Sequence, residues 1–271
     1  MKIFKSKHKL QKEILNIKNI SFVPTMGGLH AGHISLIKKA KKIKGKTLVS
    51  VFVNPKQFND KKDYQRYPRN LKKDLILLKK LQVNLVYLPT SKDIFSFQTQ
   101  NKIFIDKFSK KLCGKTRKGH FEGVLNIVNR FLEIIKPKFL FLGSKDFQQL
   151  SLISSHIKKK KINTKVIQCK TIRNKNGVAL STRNKNLTPK HLKITSKVYH
   201  YLKIKKKHII NRRSYFNLKI IKKDLINLGV TKIDYIELYN YKTFKKPNNK
   251  SEQFKIFIAF YLNKVRLIDN I

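Results

Sequence analysis

Short apolar runs alternate with amphipathic stretches through the first two thirds of the chain, and this alternation constrains the fold more than any other feature. The apolar runs predict buried strands at residues 20–25, 47–53, 84–89, 138–143 and 165–172. The amphipathic stretches predict helices at residues 34–43, 70–81, 121–135 and 146–157. Strands that are separated by helices pair in parallel, because each helix returns the chain to the same end of the sheet. The pattern therefore predicts an α/β fold with a doubly wound parallel sheet.

The pattern changes after Gly177. Two helical stretches and then two strand-like runs follow, at residues 191–207, 215–228, 234–239 and 254–263. Helices followed by strands are typical of a separate small α+β domain. We therefore predict a first domain of residues 1–176 and a smaller C-terminal α+β domain of residues 177–271 that closes over the site of the first.

The formal net charge is +49, from 63 lysines and arginines against 14 aspartates and glutamates. A charge of this sign and size favours a nucleic-acid partner when it is taken alone. The lysines, however, are spread along the whole chain, and the abundant Lys, Ile, Asn, Phe and Tyr share AT-rich codons. We therefore hypothesise that the charge reflects a base-composition bias. We expect no specific nucleic-acid partner, and only nonspecific affinity for RNA at low salt.

Hydrophobic residues make up 41% of the 271 residues, which is enough to bury a core. No apolar run approaches the roughly 20 residues of a membrane helix. Residues 1–15 carry many lysines and no continuous apolar stretch, unlike a secretory signal. The two cysteines, Cys113 and Cys169, are too few for a disulfide framework. These features predict a cytoplasmic protein with no membrane association.

Residues 24–33 read Pro-Thr-Met-Gly-Gly-Leu-His-Ala-Gly-His and join the first predicted strand to the first predicted helix. The glycines let the backbone approach a ligand closely, and a helix start directs its amides and positive dipole end toward an anion. His30 and His33 are three residues apart, so both imidazoles can face the same phosphate. A glycine turn with two incidental histidines is the alternative. The strand–glycine–helix setting favours a phosphate site.

This decapeptide resembles the H-x-G-H nucleotide-binding motif of the nucleotidyltransferase superfamily, and its flanking residues resemble the pantothenate synthetase family. The resemblance implies that the first domain is a Rossmann-like nucleotide-binding domain. It also implies ATP contacts from the whole turn, namely Met26, Gly27, Gly28, Leu29, His30, Ala31, Gly32 and His33.

Residues 51–58 read Val-Phe-Val-Asn-Pro-Lys-Gln-Phe at a predicted strand end, and Arg-Tyr-Pro-Arg follows at residues 66–69. The amide of Gln57 can both donate and accept, which suits a hydroxyl and a carboxylate. Asn-Pro alone would be typical of a plain turn. Both segments are similar to the substrate strand and mobile gate loop of the same family. The resemblance implies that Gln57 contacts pantoate and β-alanine and that Tyr67 lies beside the site.

Two further parts of the sequence resemble the family, and each has a lysine where the family usually has another residue. Asp74 matches an acidic position that is associated with Mg²⁺, although Lys73 replaces a frequent second acid. Residues 117–124 resemble R-x-G-H-F-x-G-V, with Lys118 where proline is usual. His120 in that segment also suits a structural role at a helix start.

Residues 143–149 read Gly-Ser-Lys-Asp-Phe-Gln-Gln at a strand-to-helix turn. Lys145 supplies a point charge for phosphate, and Asp146 suits ribose, a metal or a helix cap. Ser144 replaces the glutamate that is usual in the family. The resemblance implies that Gln149 binds pantoate. It implies ATP contacts from Gly143, Ser144, Lys145 and Asp146.

Residues 172–184 read Ile-Arg-Asn-Lys-Asn-Gly-Val-Ala-Leu-Ser-Thr-Arg-Asn. A hydroxyl pair followed by arginine offers donors for a triphosphate, whereas a polar interdomain loop is the alternative. The segment looks like the family's G-x-A-x-S-S-R-N phosphate-clamping loop, with threonine for the second serine. The resemblance implies ATP contacts from Ile172, Leu180, Ser181, Thr182 and Arg183.

The five segments occur in the family's order, and together they imply a complete activity. The resemblance implies ATP-dependent ligation of (R)-pantoate and β-alanine to pantothenate through a pantoyl adenylate, with AMP and pyrophosphate released. It implies that His30, His33, Lys145 and Arg183 act with Mg²⁺, and that the protein is a homodimer. Two alternatives remain: another nucleotidyltransferase, such as a phosphopantetheine adenylyltransferase, and a basic nucleic-acid-binding protein.

Overall fold

The computed structural model describes residues 1–59, 61–211, 217–247 and 253–271. The chain divides into two compact units, Met1–Thr171 and Ile172–Ile271. This division falls a few residues before the boundary at residues 176 and 177 that the sequence pattern suggested, and the limits of the two domains stay a prediction.

Strands and helices alternate in the first unit. Its strands are β1 (Lys2–Phe4), β2 (Ile20–Thr25), β3 (Lys46–Val51), β4 (Leu85–Tyr87), β5 (Phe139–Gly143) and β6 (Lys165–Cys169). Its helices are α1 (Lys7–Ile14), α2 (Ala31–Lys41), α3 (Lys61–Arg66), α4 (Leu71–Lys80), α5 (Ser91–Phe95), α6 (Leu112–Thr116), α7 (His120–Ile135) and α8 (Phe147–Lys159). Short 3-10 helices lie at Pro55–Gln57, Lys107–Lys110 and Ser144–Asp146.

Within the described residues, the strands of this unit form one parallel sheet in the order β1-β4-β3-β2-β5-β6. From β2 the chain winds through β3 to β4 on one side, and β5 and β6 lie on the other. The direction of winding therefore reverses between β2 and β5. Ligands of open α/β sheets bind beyond the carboxyl ends of the strands at such a reversal. The doubly wound Rossmann-like sheet predicted from the sequence is confirmed.

Both faces of the sheet are covered, which explains why its strands read as continuous apolar runs. On one face, Val23 packs in a cluster with Ile37 and Ala40 of α2. On the other face, the neighbouring residue Phe22 meets Phe131 of α7 edge to face, with ring centroids 5.4 Å apart. Successive side chains of a strand point to opposite faces, so β2 joins the two layers of the core.

The sequence pattern did not predict β1 and α1. β1 is an edge strand of three residues, and Ile3 at its centre is exposed. α1 buries only Leu10 and Ile14. Such short elements leave too few apolar residues to form a periodic signal, and the parallel pairing of β1 with β4 stabilises what local sequence does not specify.

The second unit contains a 3-10 helix (Thr182–Asn186), α9 (Pro189–Ile210), α10 (Leu218–Asn227), β7 (Lys232–Asn240), β8 (Phe254–Leu262) and β9 (Val265–Asn270). Its described strands form an antiparallel sheet in the order β7-β8-β9, which confirms the predicted α+β character. The predicted helix at residues 215–228 is observed from Leu218, and residues 215 and 216 lie outside the described residues. Among the described residues, no helix has the length and apolar character that a bilayer crossing requires.

Candidate nucleotide site

The turn between β2 and α2 depends on its glycines. Gly27 and Gly28 have φ angles of +75° and +62°, in the left-handed region. A Cβ atom on Gly27 would lie 2.9 Å from Oδ2 of Asp74 and 3.2 Å from Cγ1 of Val51. A larger residue at position 27 would therefore meet both backbone strain and a collision.

Main-chain amides of this turn are bonded within the protein. Gly28 N–H donates to Oδ2 of Asp74 and Leu29 N–H donates to Oδ1, each at 2.8 Å. Gly27 N–H donates to Oγ1 of Thr25 at 3.3 Å. The sequence suggested that the backbone of this turn would approach a ligand closely, whereas the structure directs these three amides to the protein's own oxygens. The turn therefore differs from a loop that cradles phosphate with its backbone.

His30 and His33 cap the start of α2 reciprocally. Gly32 N–H donates to Nδ1 of His30 at 3.1 Å, and His30 N–H donates to Nδ1 of His33 at 3.3 Å. The ring centroids are 4.1 Å apart, as expected for two residues that face one anion. Because each Nδ1 accepts a bond, a neutral ring must carry its proton on Nε2. Both imidazoles are therefore Nε2–H donors.

The segment after β5 places a cation at the next strand end. The side chain of Lys145 is only 17% exposed, and its Nζ lies 3.5 Å from Oδ1 of Asp146. Asp146 precedes α8 but makes no side-chain cap bond, so the capping alternative is not what the structure shows. Ser144 accepts a 2.9 Å hydrogen bond on Oγ from Nε2 of Gln168 in β6. That bond anchors the turn that carries Lys145.

Gln57 connects the segment after β3 to the glycine turn. Its side chain is buried, and Nε2 lies 2.7 Å from Sδ of Met26. Gln149 lies in the first turn of α8. Within the described part of the chain, its side-chain amide has no hydrogen-bond partner. Its amide is thus available to a ligand.

Arg117 and His120 hold the main chain at Gln57, a contact that the sequence did not reveal. Nη1 of Arg117 lies 3.1 Å from Nε2 of His120, and Nδ1 of His120 lies 2.7 Å from the carbonyl oxygen of Gln57. Because a guanidinium only donates, Nε2 must accept, and Nδ1–H donates to Gln57. His120 therefore has the structural role that was its alternative, and it supports Gln57, which is a predicted binding residue. The three-residue spacing in Arg-Lys-Gly-His was the available signal.

Helix α7 approaches the 3-10 helix Pro55–Gln57 closely at Gly123. A Cβ atom on Gly123 would lie 2.3 Å from the carbonyl oxygen of Lys56 and 2.8 Å from Cα of Gln57. Asn54, which is buried, donates from Nδ2 to the carbonyl oxygen of Gly123 at 3.0 Å and accepts from Lys56 N–H at 3.1 Å. The plain turn that was the alternative at Asn54 is therefore a packed junction.

The segment that resembles a gate loop is held by aromatic contacts. Phe58 meets Tyr64 and Tyr67 edge to face, with centroid distances of 5.3 and 5.7 Å. Arg69 stacks on Tyr64 at 4.2 Å and donates from Nη2 to its carbonyl oxygen at 2.7 Å. Tyr67 is buried in this arrangement.

In the second unit, the predicted clamp segment has an ordered backbone. Leu180 N–H donates to the carbonyl oxygen of Ile172 at 2.9 Å. Ser181 precedes the 3-10 helix, and its Oγ accepts from Arg183 N–H at 3.3 Å. Thr182 is buried. The ATP contacts assigned to these residues stay predictions.

Three adjacent strands thus bring the chemistry of the first unit to one edge of the sheet. The glycine turn follows β2, Gln57 follows β3 and Lys145 follows β5, on both sides of the winding reversal. Imidazole donors, an ammonium group and a neutral amide are suited to phosphate and to a small hydroxy acid. The fold and this site define a Rossmann-like nucleotide-binding protein of the H-x-G-H type.

Comparisons with known proteins identify the family within this class. The family model described as "Pantoate-beta-alanine ligase" matches residues 2–271. A pantothenate synthetase of Francisella tularensis subsp. novicida is 42% identical over 269 residues, covering 98% of this chain and 94% of that protein. The chain belongs to the pantoate-beta-alanine ligase family.

Solved structures agree with this assignment. A pantoate-beta-alanine ligase from Francisella tularensis, complexed with beta-gamma ATP and beta-alanine, is 41% identical, with a TM-score of 0.85 and coverage of 100% of this chain and 97% of that chain. Pantothenate synthetase from Thermus thermophilus is 28% identical, with a TM-score of 0.90 and coverage of 100% and 99%. The similarity therefore extends over the whole length of the chain.

Proposed function

We propose that this chain joins (R)-pantoate to β-alanine with ATP, through a pantoyl adenylate, and releases AMP and pyrophosphate. The observation that carries the proposal is the placement of His30 and His33, Lys145 and Gln57 at three adjacent strand ends. Family membership supports the same activity, and the Francisella tularensis relative was crystallised with beta-gamma ATP and beta-alanine.

The proposed ATP contacts come from three segments. In the first unit they are Met26, Gly27, Gly28, Leu29, His30, Ala31, Gly32, His33, Gly143, Ser144, Lys145 and Asp146. In the second unit they are Ile172, Leu180, Ser181, Thr182 and Arg183, which rest on the resemblance of their segment. Gln57 and Gln149 are the proposed pantoate contacts, and Gln57 also contacts β-alanine.

In the first step a carboxylate oxygen of pantoate attacks the α-phosphorus, and the bond from that phosphorus to pyrophosphate breaks. No enzyme nucleophile is needed, so catalysis consists of positioning and charge stabilisation. The Nε2–H groups of His30 and His33 and the ammonium of Lys145 stabilise the charge that moves onto the phosphates. A neutral amide at Gln57 orients the carboxylate without pairing with its charge, so the carboxylate keeps its nucleophilicity.

In the second step the amine of β-alanine attacks the acyl carbon of the adenylate. The acyl C–O bond breaks, AMP leaves with that oxygen, and the amine loses a proton as the amide forms. Exclusion of water protects the mixed anhydride between the steps.

The resemblance to the family also implies Mg²⁺. Among the described residues, no group of three or more His, Cys, Asp or Glu side chains could hold a metal ion. Asp74 is 4% exposed and both of its oxygens accept main-chain bonds, so we propose that its carboxylate holds the glycine turn and does not bind the metal. We propose that Mg²⁺ enters with the triphosphate, because this ion usually keeps several waters and binds substrate phosphates.

Assembly and location are further proposals. The homodimer rests on the family resemblance. The cytoplasmic location is supported by Cys113 and Cys169, which are buried and not joined in a disulfide, as suits a reducing compartment.

A product assay tests the proposed function against the nearest alternative. ATP, pantoate and β-alanine should give pantothenate, AMP and pyrophosphate in equal amounts, as measured by mass spectrometry. A phosphopantetheine adenylyltransferase would instead release pyrophosphate with phosphopantetheine. Absence of pantothenate, with turnover of phosphopantetheine, would contradict the proposal.

A further inference from the structure

Asp74 lies in the first turn of α4, beneath the glycine turn, and is 4% exposed. Both of its oxygens accept main-chain bonds at 2.8 Å, one from Gly28 and one from Leu29. Within the described residues it has no cationic partner. The buried charge is therefore balanced by charge-assisted bonds from the turn, which are stronger than bonds between neutral groups.

The turn is also shaped around this carboxylate. The position of a Cβ on Gly27 is only 2.9 Å from Oδ2 of Asp74, and the positive φ angle of Gly28 directs its N–H to the same oxygen. The next residues are His30 and the start of α2, so the carboxylate fixes the backbone from which the imidazole pair projects.

We propose that Asp74 is a positioning residue, which holds the glycine turn and so aligns His30 and His33, and that it does so without a metal ion. Its carboxylate takes up amides that would otherwise turn toward solvent or ligand. In this proposal Asp74 accepts hydrogen bonds from the glycine turn in place of the association with Mg²⁺ that the family resemblance implied. The catalytic part of this inference rests on the proposed function, whereas the structural part does not.

Amide hydrogen exchange tests the structural part on the unaltered protein, in EDTA and without nucleotide. The amides of Gly28 and Leu29 should exchange at least about tenfold more slowly than unprotected amides, because they are buried and bonded. Added Mg²⁺ should leave both rates unchanged. Fast exchange that slows only after Mg²⁺ is added would overturn the proposal. This measurement needs no catalysis, so it stands apart from any failure of the proposed function.

Asp74→Asn tests the catalytic part, because the side chain keeps its shape, loses one acceptor and turns an NH₂ toward a main-chain N–H. We expect kcat to fall by roughly tenfold to a hundredfold, with the KM for pantoate and the Mg²⁺ concentration for half-maximal rate unchanged. Lys73→Gln, at the neighbouring exposed position, is the matched control and should keep normal kcat. Recovery of the rate at high Mg²⁺ would identify a metal ligand and overturn the proposal. If Asp74→Asn does not fold, the exchange rates of the unaltered protein decide.

Discussion

The proton positions on His30 and His33 follow from the bonds that their ring nitrogens already make. Each Nδ1 accepts a main-chain N–H, so the two nitrogens of each ring have separate tasks: Nδ1 shapes the helix start and Nε2–H donates. Substitutions that reproduce one nitrogen at a time can separate these tasks. In place of histidine, the side-chain amide of Asn occupies the position of Nδ1, and the side-chain amide of Gln occupies the position of Nε2.

We predict that His33→Asn lowers kcat by roughly two to three orders of magnitude, because it removes a donor to charge that develops in the transition state. Its thermal stability should stay near normal, because the cap acceptor remains. His33→Gln should keep more activity than His33→Asn and lose more stability. Steady-state kinetics and thermal unfolding on both variants make the comparison. Equal activity in the two variants would remove Nε2 of His33 from the mechanism.

Gln57 and Gln149 are the two residues that we assign to pantoate binding. Alanine at either position should weaken pantoate binding by roughly 1–3 kcal/mol, because a polar group of the ligand loses its partner. Binding of ATP alone should change little. Calorimetric titration with each ligand measures both, and Gln11→Ala, exposed on α1, is the matched control. Loss of ATP binding alone would mean that the two parts of the site are assigned backwards.

Individual site residues were easier to predict than their contacts. Sequence reasoning singled out His30, His33 and Lys145 as candidates, because glycine-rich turns and strand ends are visible as local patterns, and their roles stay predictions. It did not predict the bond between Asp74 and Gly28 or the contact between Arg117 and Gln57, because the partners are distant in sequence. Contacts between distant segments depend on the order of the strands in the sheet, and a short stretch of sequence does not reveal that order.

At the scale of elements, His156 joins helices α7 and α8 to the preceding loop. Phe104 N–H donates to its Nδ1 at 3.1 Å, so Nε2–H donates to Oδ1 of Asn129 at 3.0 Å. Burial, with a smaller effect from Lys160, lowers the pKa of His156 below its ordinary value of 6.5. Below that ordinary value the unfolded chain binds a proton that the folded protein does not, so stability falls as pH decreases toward the lowered pKa.

We predict that His156→Gln has a flatter dependence of melting temperature on pH below 6.5 than the unaltered protein. Its stability at neutral pH should be lower, because Phe104 N–H loses its acceptor. His8→Gln, at an exposed position, is the control and should keep the original slope. Thermal unfolding across the pH range makes the measurement, and an unchanged slope in His156→Gln would contradict the account.

The close approach of α7 to the 3-10 helix at Gln57 gives a second test of packing. Gly123→Ala should destabilise the protein by about 1–3 kcal/mol, although alanine favours a helix, because its Cβ would collide with the carbonyl of Lys56. Pantoate binding should weaken as Gln57 shifts. Gly143→Ala is the control for stability, since no atom lies within 4 Å of its Cβ position. Equal melting temperatures for both variants would contradict the packing argument.

Sequence patterns predicted the central strands and the long helices, and they did not predict the edge strand β1, the short helices α1, α3, α5 and α6, or β9. β2 was predicted with its observed bounds, because Phe22 and Val23 face two buried layers. β9 was not predicted, because Arg266 and Asp269 interrupt its apolar residues. It forms by pairing with β8 through a turn in which Asn263 has a φ of +52°, a conformation that asparagine tolerates.

At the scale of the whole molecule, two readings of the sequence compete: a net charge of +49 and a set of ordered motifs. The parallel sheet with its winding reversal is the scaffold that the motifs require. Family similarity from residue 2 to residue 271 supports the motifs as well. The fold and the family therefore support the ordered motifs, and not the net charge, as the guide to function.

Isotope transfer tests whether pantoate is activated as an acyl adenylate. Pantoate labelled with ¹⁸O in its carboxylate is incubated with ATP, β-alanine and the protein, and the nucleotide product is analysed by mass spectrometry. We predict AMP that carries one labelled oxygen, because the attacking carboxylate oxygen stays on phosphorus when the amide forms. ADP together with labelled inorganic phosphate would show an acyl phosphate instead, and would contradict the account.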